Sequence, residues 1–556
     1  MKYIPTLAAI SLLPGLLSGL GAQEVAGHEH AAGAHSNERL GTVSFPNSGK
    51  PAAQTSFLRG LALLHSFEYE DAGEAFRAAQ RADPAFAVAY WGEALTYAKL
   101  LWGLDNPEAA RVALARLAST PEERLRRAPT ERERAYGAAV EALYQGNDLE
   151  SRIRGYVAGL RALTSKYPDD LEARALLAIA LQMRGAGYRS EERRERTLEA
   201  ITLAESIFKS KPDHPGGAHY LIHAADNPEL ASRGVAAARA YAKIAPDAEH
   251  ALHMPSHIFL QIGAWDDVVS SNERAWAASR AWVRSHGVPN TELSFHTLSW
   301  LEYGYLQQGR YAAAHAVLDT IAVVLKGVDW SRADDDSLGG HRPAIDARYA
   351  LDLSRFSYAL ETGDWTVFGG KAPAPVPPSK SASDRASFFA MQGAYTRAFT
   401  AGVLRDTITA KALPPFPAKA LPHPSFADAA LPGAVARAHV SALTARARGD
   451  IGAYLASLRD AADADAQMAH AGPPIFVPAH ELLGQALLEA GRFDEAVKAF
   501  EKSLQLMPNR SASLLGLARA HWNAGNRDAS RQAYKKLRAN WHSADRNVRA
   551  LKELGR

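Results

Sequence analysis

Imidazole is the side-chain ligand that transition metals use most, and six of the twenty histidines in this chain fall between positions 214 and 257. His219, His223 and Asp226 follow an HxxxHxxD spacing, which on a helix turns two imidazoles and a carboxylate toward one point. His253 and His257 repeat the four-residue interval, and His250 lies one turn before His253. His214, just before Pro215, reads as a turn residue. The other five, His219, His223, His250, His253 and His257, are the candidate ligands for zinc, copper or iron, with Asp226 as a further ligand or as the group that orients one. The chain has no cysteine, so thiolate sites, disulfides and cysteine nucleophiles are all excluded.

Further along, His296, Glu302 and His341 could complete the coordination or hold a ligand from behind. His341 follows the acidic stretch Asp334 to Asp336, which reads as an exposed polar turn. Pro255 stands among the histidines. A helix capped at Asp247 would be kinked there, and a helix beginning at Pro255 would leave His253 in the preceding loop. His65, His315, His480 and His521 are each isolated on helical patterns and read as packing or hydrogen-bonding residues.

Two helices must bring these imidazoles together across about 25 residues. Near the C-terminus, Gly491 and Gly525, Leu483 and Leu517, and Phe500 and Tyr534 are each 34 residues apart. That period, with Gly484 and Ala496 at a tight crossing and Pro508 at the exit, resembles the tetratricopeptide repeat. A third copy places Gly60, Ala72, Phe76, Ala79 and Pro84 in the same register. Weaker helix pairs turn at Gly263 and Gly309. The fold expected is all-α, a solenoid of antiparallel helix pairs with a diverged middle, in which helices one pair apart lie side by side.

The expected organisation is a secretory signal over 1–22, a leader without fixed packing over 23–50, N-terminal repeats over 51–105, and a diverged helical body over 106–368. Helices interrupted by proline-rich linkers follow over 369–432, then a repeat domain over 433–556. The signal reading rests on Lys2, a short apolar run and small residues near Ala22, and it implies export to a periplasm or medium. The run is too short for a membrane span of about 20 residues. His28, His30 and His35 belong to the leader and read as a solvated tail.

The motifs AYWG (Ala89 to Gly92), HYLIHAAD (His219 to Asp226) and HALHMPSHI (His250 to Ile258) resemble a group of exported bacterial tetratricopeptide-repeat proteins. The resemblance spans most of residues 55 to 320 and implies a fold and an important core rather than a reaction. Its superfamily implies a scaffold that binds a protein or peptide on the concave face.

Lys and Arg number 63 against 60 Asp and Glu, so no field steers polyanions and nucleic acid is not an expected partner. Phosphate loops, the GxSxG elbow, HExxH and a strand-first GxGxxG are all missing from the sequence. Two functions stand: a peptide-binding scaffold with structural histidines, and a metal-binding protein whose alternative form is a metal-dependent enzyme. A small organic ligand among Trp265, Trp276, Trp282 and Trp300 is a third idea without a motif.

Overall fold

The computed structural model describes residues 38–99, 101, 104–146, 148–183, 190–330, 343–374, 384–405, 431–468 and 472–553. The signal segment, the leader up to residue 37, His341 with its acidic turn, and residues 375–383 and 406–430 of the proline-rich passages lie outside the described residues.

Among the described residues the chain is helical, with no strand. The helices run α1 Pro51–His65, α2 Tyr69–Ala82, α3 Ala87–Leu95, α4 Pro107–Ala115, α5 Pro121–Arg127, α6 Glu131–Tyr144, α7 Leu149–Lys166, α8 Leu171–Ala180 and α9 Ser190–Ser210. Next come α10 Pro215–Ala225, α11 Ala231–Ile244, α12 Glu249–His253, α13 Pro255–Gln261, α14 Trp265–His286, α15 Phe295–Gln307, α16 Tyr311–Lys326, α17 Pro343–Thr362 and α18 Asp384–Leu404. The last are α19 Leu431–Ala447, α20 Ile451–Asp465, α21 Ala479–Glu489, α22 Phe493–Leu506, α23 Ser511–Asn523 and α24 Arg527–Asn540. Successive helices pack pairwise, which makes an α-solenoid. None of the described helices is long and apolar enough to cross a membrane.

The repeat register has a steric cause. Phe76 lies so close to Gly60 and Gly92 that a Cβ on either would stand 2.9 or 2.6 Å from its ring, and Phe500 crowds Gly484 and Gly516 at 3.0 and 2.3 Å. One aromatic wedged between two glycines therefore sets the crossing at both ends of the chain. The turns inside the helix pairs are left-handed, with φ of 66° at Gly263, 68° at Gly309, 72° at Gly491 and 84° at Gly525.

The solenoid winds tightly enough for distant pairs to touch. The α1–α2 turn packs against α10 and α12, and Trp282 of α14 donates its indole N–H to Asp71 of α2 at 3.0 Å. Farther on, Trp265 donates to the carbonyl of Asn509 at 2.9 Å. Residues Arg39–Arg556 accordingly form one compact unit, of which the segments read from the sequence are successive lengths.

Two local features depart from expectation. Residues 39–50, expected to lack fixed packing, run extended along the body: Leu40 and Phe45 are buried, Arg39 clasps Asp247 at 2.8 Å, and Ser48 donates to Glu133 at 2.8 Å. Two apolar anchors at irregular spacing carry no helical or strand period, so periodicity could not reveal them. Asp247, engaged by Arg39, is not the cap of α12, whose N-cap is Ala248. The helix breaks at Met254, and Pro255 opens α13 as its first residue, where its missing N–H is harmless.

Candidate metal centre

His219 and His223 project from α10, His250 and His253 from α12, His257 from α13, and His296 from the first turn of α15. One ring nitrogen from each of His219, His223 and His250 lies within 4.8 Å of the other two. His253, His257 and His296 form a second trio by the same measure. Ligand nitrogens on a tetrahedral ion stand about 3.3 Å apart, so a bound ion would bring the nitrogens of either trio closer by up to about 1.5 Å. The trios adjoin: ring centroids of His223 and His257 are 6.0 Å apart, and those of His250 and His253 are 6.1 Å apart.

Hydrogen bonds determine which nitrogen of several rings carries the proton. His219 Nδ1 lies 2.6 Å from the backbone carbonyl of His65, which can only accept. The proton is therefore on Nδ1, and the Nε2 lone pair is left fully buried with no hydrogen-bond partner. Burial holds this imidazole neutral, with its pKa pushed down to about 3.

His253 Nδ1 lies 2.6 Å from the Asn272 side-chain oxygen, and the amide is oriented by its own N–H to the carbonyl of Val268 at 2.8 Å. His257 Nδ1 donates to the carboxylate of Asp226 at 2.7 Å, whose other oxygen accepts from Gln261 at 3.0 Å. In the neutral rings both Nε2 atoms then present lone pairs, and they face each other at 3.1 Å. Two lone pairs cannot sit so close without a proton or a cation between them. Ligand nitrogens on a tetrahedral ion stand about 3.3 Å apart, which fits this gap. Burial first, then His296 and His257, push the His253 imidazole well below its usual pKa, so a proton shared across the gap would belong to His257, which pairs with Asp226.

A third cluster shows the contrast. His65 and His214 flank Glu172, with Nε2 to carboxylate distances of 2.7 and 3.2 Å. His65 Nδ1 accepts from the hydroxyl of Tyr220 at 2.8 Å, and His214 Nδ1 accepts from the N–H of Gly217 at 3.2 Å. Every polar atom here has a partner, so this buried trio is a structural network. Burial works against the Glu172 charge, but His65 and His214 hold its carboxyl well below the usual range.

Aromatic rings wall the centre. Phe67 packs on His219 at 4.4 Å and on His250 at 5.3 Å, Tyr241 stacks on His219 at 5.1 Å, and Trp300 covers His257 at 4.2 Å. Phe67 has φ of 60° and stands nine residues before Phe76, where Gly491 stands before Phe500. The first hairpin thus places a phenylalanine in the left-handed turn that the pairs turning at Gly263, Gly309, Gly491 and Gly525 give to glycine. Such strain costs about 1–3 kcal/mol, and truncating a buried phenylalanine costs about 3–5 kcal/mol. Phe67→Gly should therefore destabilise by about 1–3 kcal/mol net, despite relieving the backbone; urea titration would measure it, and a gain in stability would show that the ring contributes nothing.

Two half-buried carboxyls adjoin the first trio. Glu68 accepts from the backbone N–H of His250 at 3.0 Å, and Glu249, pushed up to about 7 by burial, accepts from Thr297 at 2.8 Å.

The five candidate ligands inferred from spacing come together in two trios. His296 joins the second, and Asp226 acts as the orienting carboxylate of His257. Glu302 belongs to neither trio; its carboxyl is buried on a different face of α15 from His296. Sequence reasoning missed Asn272, Gln261 and Phe67. Only Phe67 carried a signal, as the non-glycine residue at a repeat's turn position. Trp282 stacks on His286 at 4.2 Å and Trp265 meets Tyr303 at 5.8 Å, so these two tryptophans are packing residues.

A tetratricopeptide-repeat family model matches residues 487–554. The match falls on the last helix pairs. No curated protein matches the chain. Among solved structures, it is similar to the P58(IPK) TPR domain, at 12% identity over 90% of this chain and 96% of that one with a TM-score of 0.21. It is also similar to yeast Tom70, at 10% identity, 90% and 95% coverage and a TM-score of 0.24, and to a human IFIT1 dimer with m7Gppp-AAAA, at 11%, 90%, 92% and 0.30.

Proposed function

We propose that this is an exported helical-repeat protein whose solenoid holds a histidine metal centre. The observation that carries the proposal is the protonation pattern: the His65 carbonyl leaves the bare Nε2 of His219 buried, and Asn272 and Asp226 turn the Nε2 atoms of His253 and His257 toward each other. A ligating imidazole anchored through its other nitrogen is the usual arrangement in metal proteins. All-imidazole sets suit zinc, copper or iron better than magnesium or calcium. Each trio leaves a coordination position for water or substrate, which supports the metal-dependent enzyme as the form of this reading that does chemistry.

Elemental analysis of protein purified without chelators should find close to stoichiometric metal, and chelation should lower the melting temperature. Less than about 0.1 metal per chain would sink the proposal, since a preformed site of this kind fills readily. The second reading, a scaffold that binds a protein or peptide along the concave face, draws on the tetratricopeptide repeats at residues 487–554 and does not need the histidines.

A further inference from the structure

Resting on that metal-binding reading, we infer that the centre takes two ions, one in each trio, close enough to share a small bridging oxygen ligand. The two ligand sets have no member in common, and each converges on its own. Six imidazoles exceed what one tetrahedral ion can use. The orienting contacts are also separate: the His65 carbonyl serves the first trio, while Asn272 and Asp226 serve the second. Rings of the two sets meet at 6.0 and 6.1 Å, comparable to the 5.9 and 6.2 Å separations inside a single trio. The ions would therefore be neighbours within one continuous belt.

With three protein ligands apiece, each ion retains an open position. Adjacent open positions suit a bridging oxygen donor such as hydroxide or a small oxyanion, the arrangement that lets paired metals clamp both oxygens of a displacement. Access is graded. His219 and His253 are buried, His223 and His257 are half-buried and His296 is exposed, so a small ligand would enter on the His296 side.

The test uses the full chain, stripped with chelator, incubated with excess Zn(II) and desalted. Wild type should retain two zinc ions per chain, while His223→Ala and His296→Ala should each retain one, half the wild-type content. Both replacements put a strong helix former at positions that are not fully buried, and far-UV circular dichroism confirms folding. One zinc per chain in wild type, whether lost in one variant or in both, overturns the two-ion centre and leaves metal binding standing. No zinc at all overturns the metal-binding reading itself. With Cu(II) in place of zinc, a half-field electron paramagnetic resonance transition from close interacting spins is expected; two bound but magnetically isolated coppers would overturn the shared centre.

Discussion

Arg510→Ala should destabilise the protein by about 3–5 kcal/mol, because it would leave two carboxylates buried without their cation. The guanidinium is fully buried. It donates to both oxygens of Glu481 on α21 at 2.8 and 3.0 Å, pairs with Glu361 on α17 at 2.5 Å, and donates to the hydroxyl of Tyr303 on α15 at 2.8 Å. One side chain thus ties the C-terminal repeats to the helices that follow the histidine cluster. Glu481 also accepts from Ser513 at 2.5 Å, so it cannot swing out to solvent when the arginine is lost. Arg510→Lys keeps the charge but not the planar fork and should lose less. Equilibrium urea unfolding measures both variants. A loss under about 1 kcal/mol for the alanine would mean that water reaches the carboxylates, contrary to the packing described.

Asp226→Ala should weaken zinc binding at the second trio by about 10–100-fold, the usual consequence of removing the group behind a ligating imidazole. Its carboxylate fixes the proton on His257 Nδ1 and aims Nε2 at His253. Without it the ring can flip or take the other tautomer. The first trio has its own anchor in the His65 carbonyl and should keep its affinity. Competition against a chromophoric zinc chelator, run on the variant beside His296→Ala, reads the change directly. Unaltered affinity would make Asp226 a surface-facing partner with no hold on the metal.

What could be read locally was read from the sequence. The 34-residue period, the glycine turns and the aromatic wedges depend on neighbours within one or two helices, so helix pairs and their register were legible at both ends of the chain. The four-residue intervals His219 to His223 and His253 to His257 likewise placed each pair on one helical face. The joint at Pro255 was legible as an irregularity, with a helix start there as one of two readings, but the short helix α12 that carries His253 just before it was not.

Tertiary structure decided the rest. The division of the histidines into two trios, the entry of His296 and the exclusion of Glu302 depend on how successive helix pairs rotate against one another. That rotation accumulates over many crossings and is not encoded in any one window. The winding brings the His65 carbonyl to His219 across 154 residues of chain, and that contact sets which nitrogen stays bare. The same winding seats Phe67 on the imidazoles and separates the satisfied cluster of His65, Glu172 and His214 from the two trios. Residue types named the chemistry available; only the closed path of the solenoid determined which lone pairs lack a proton donor.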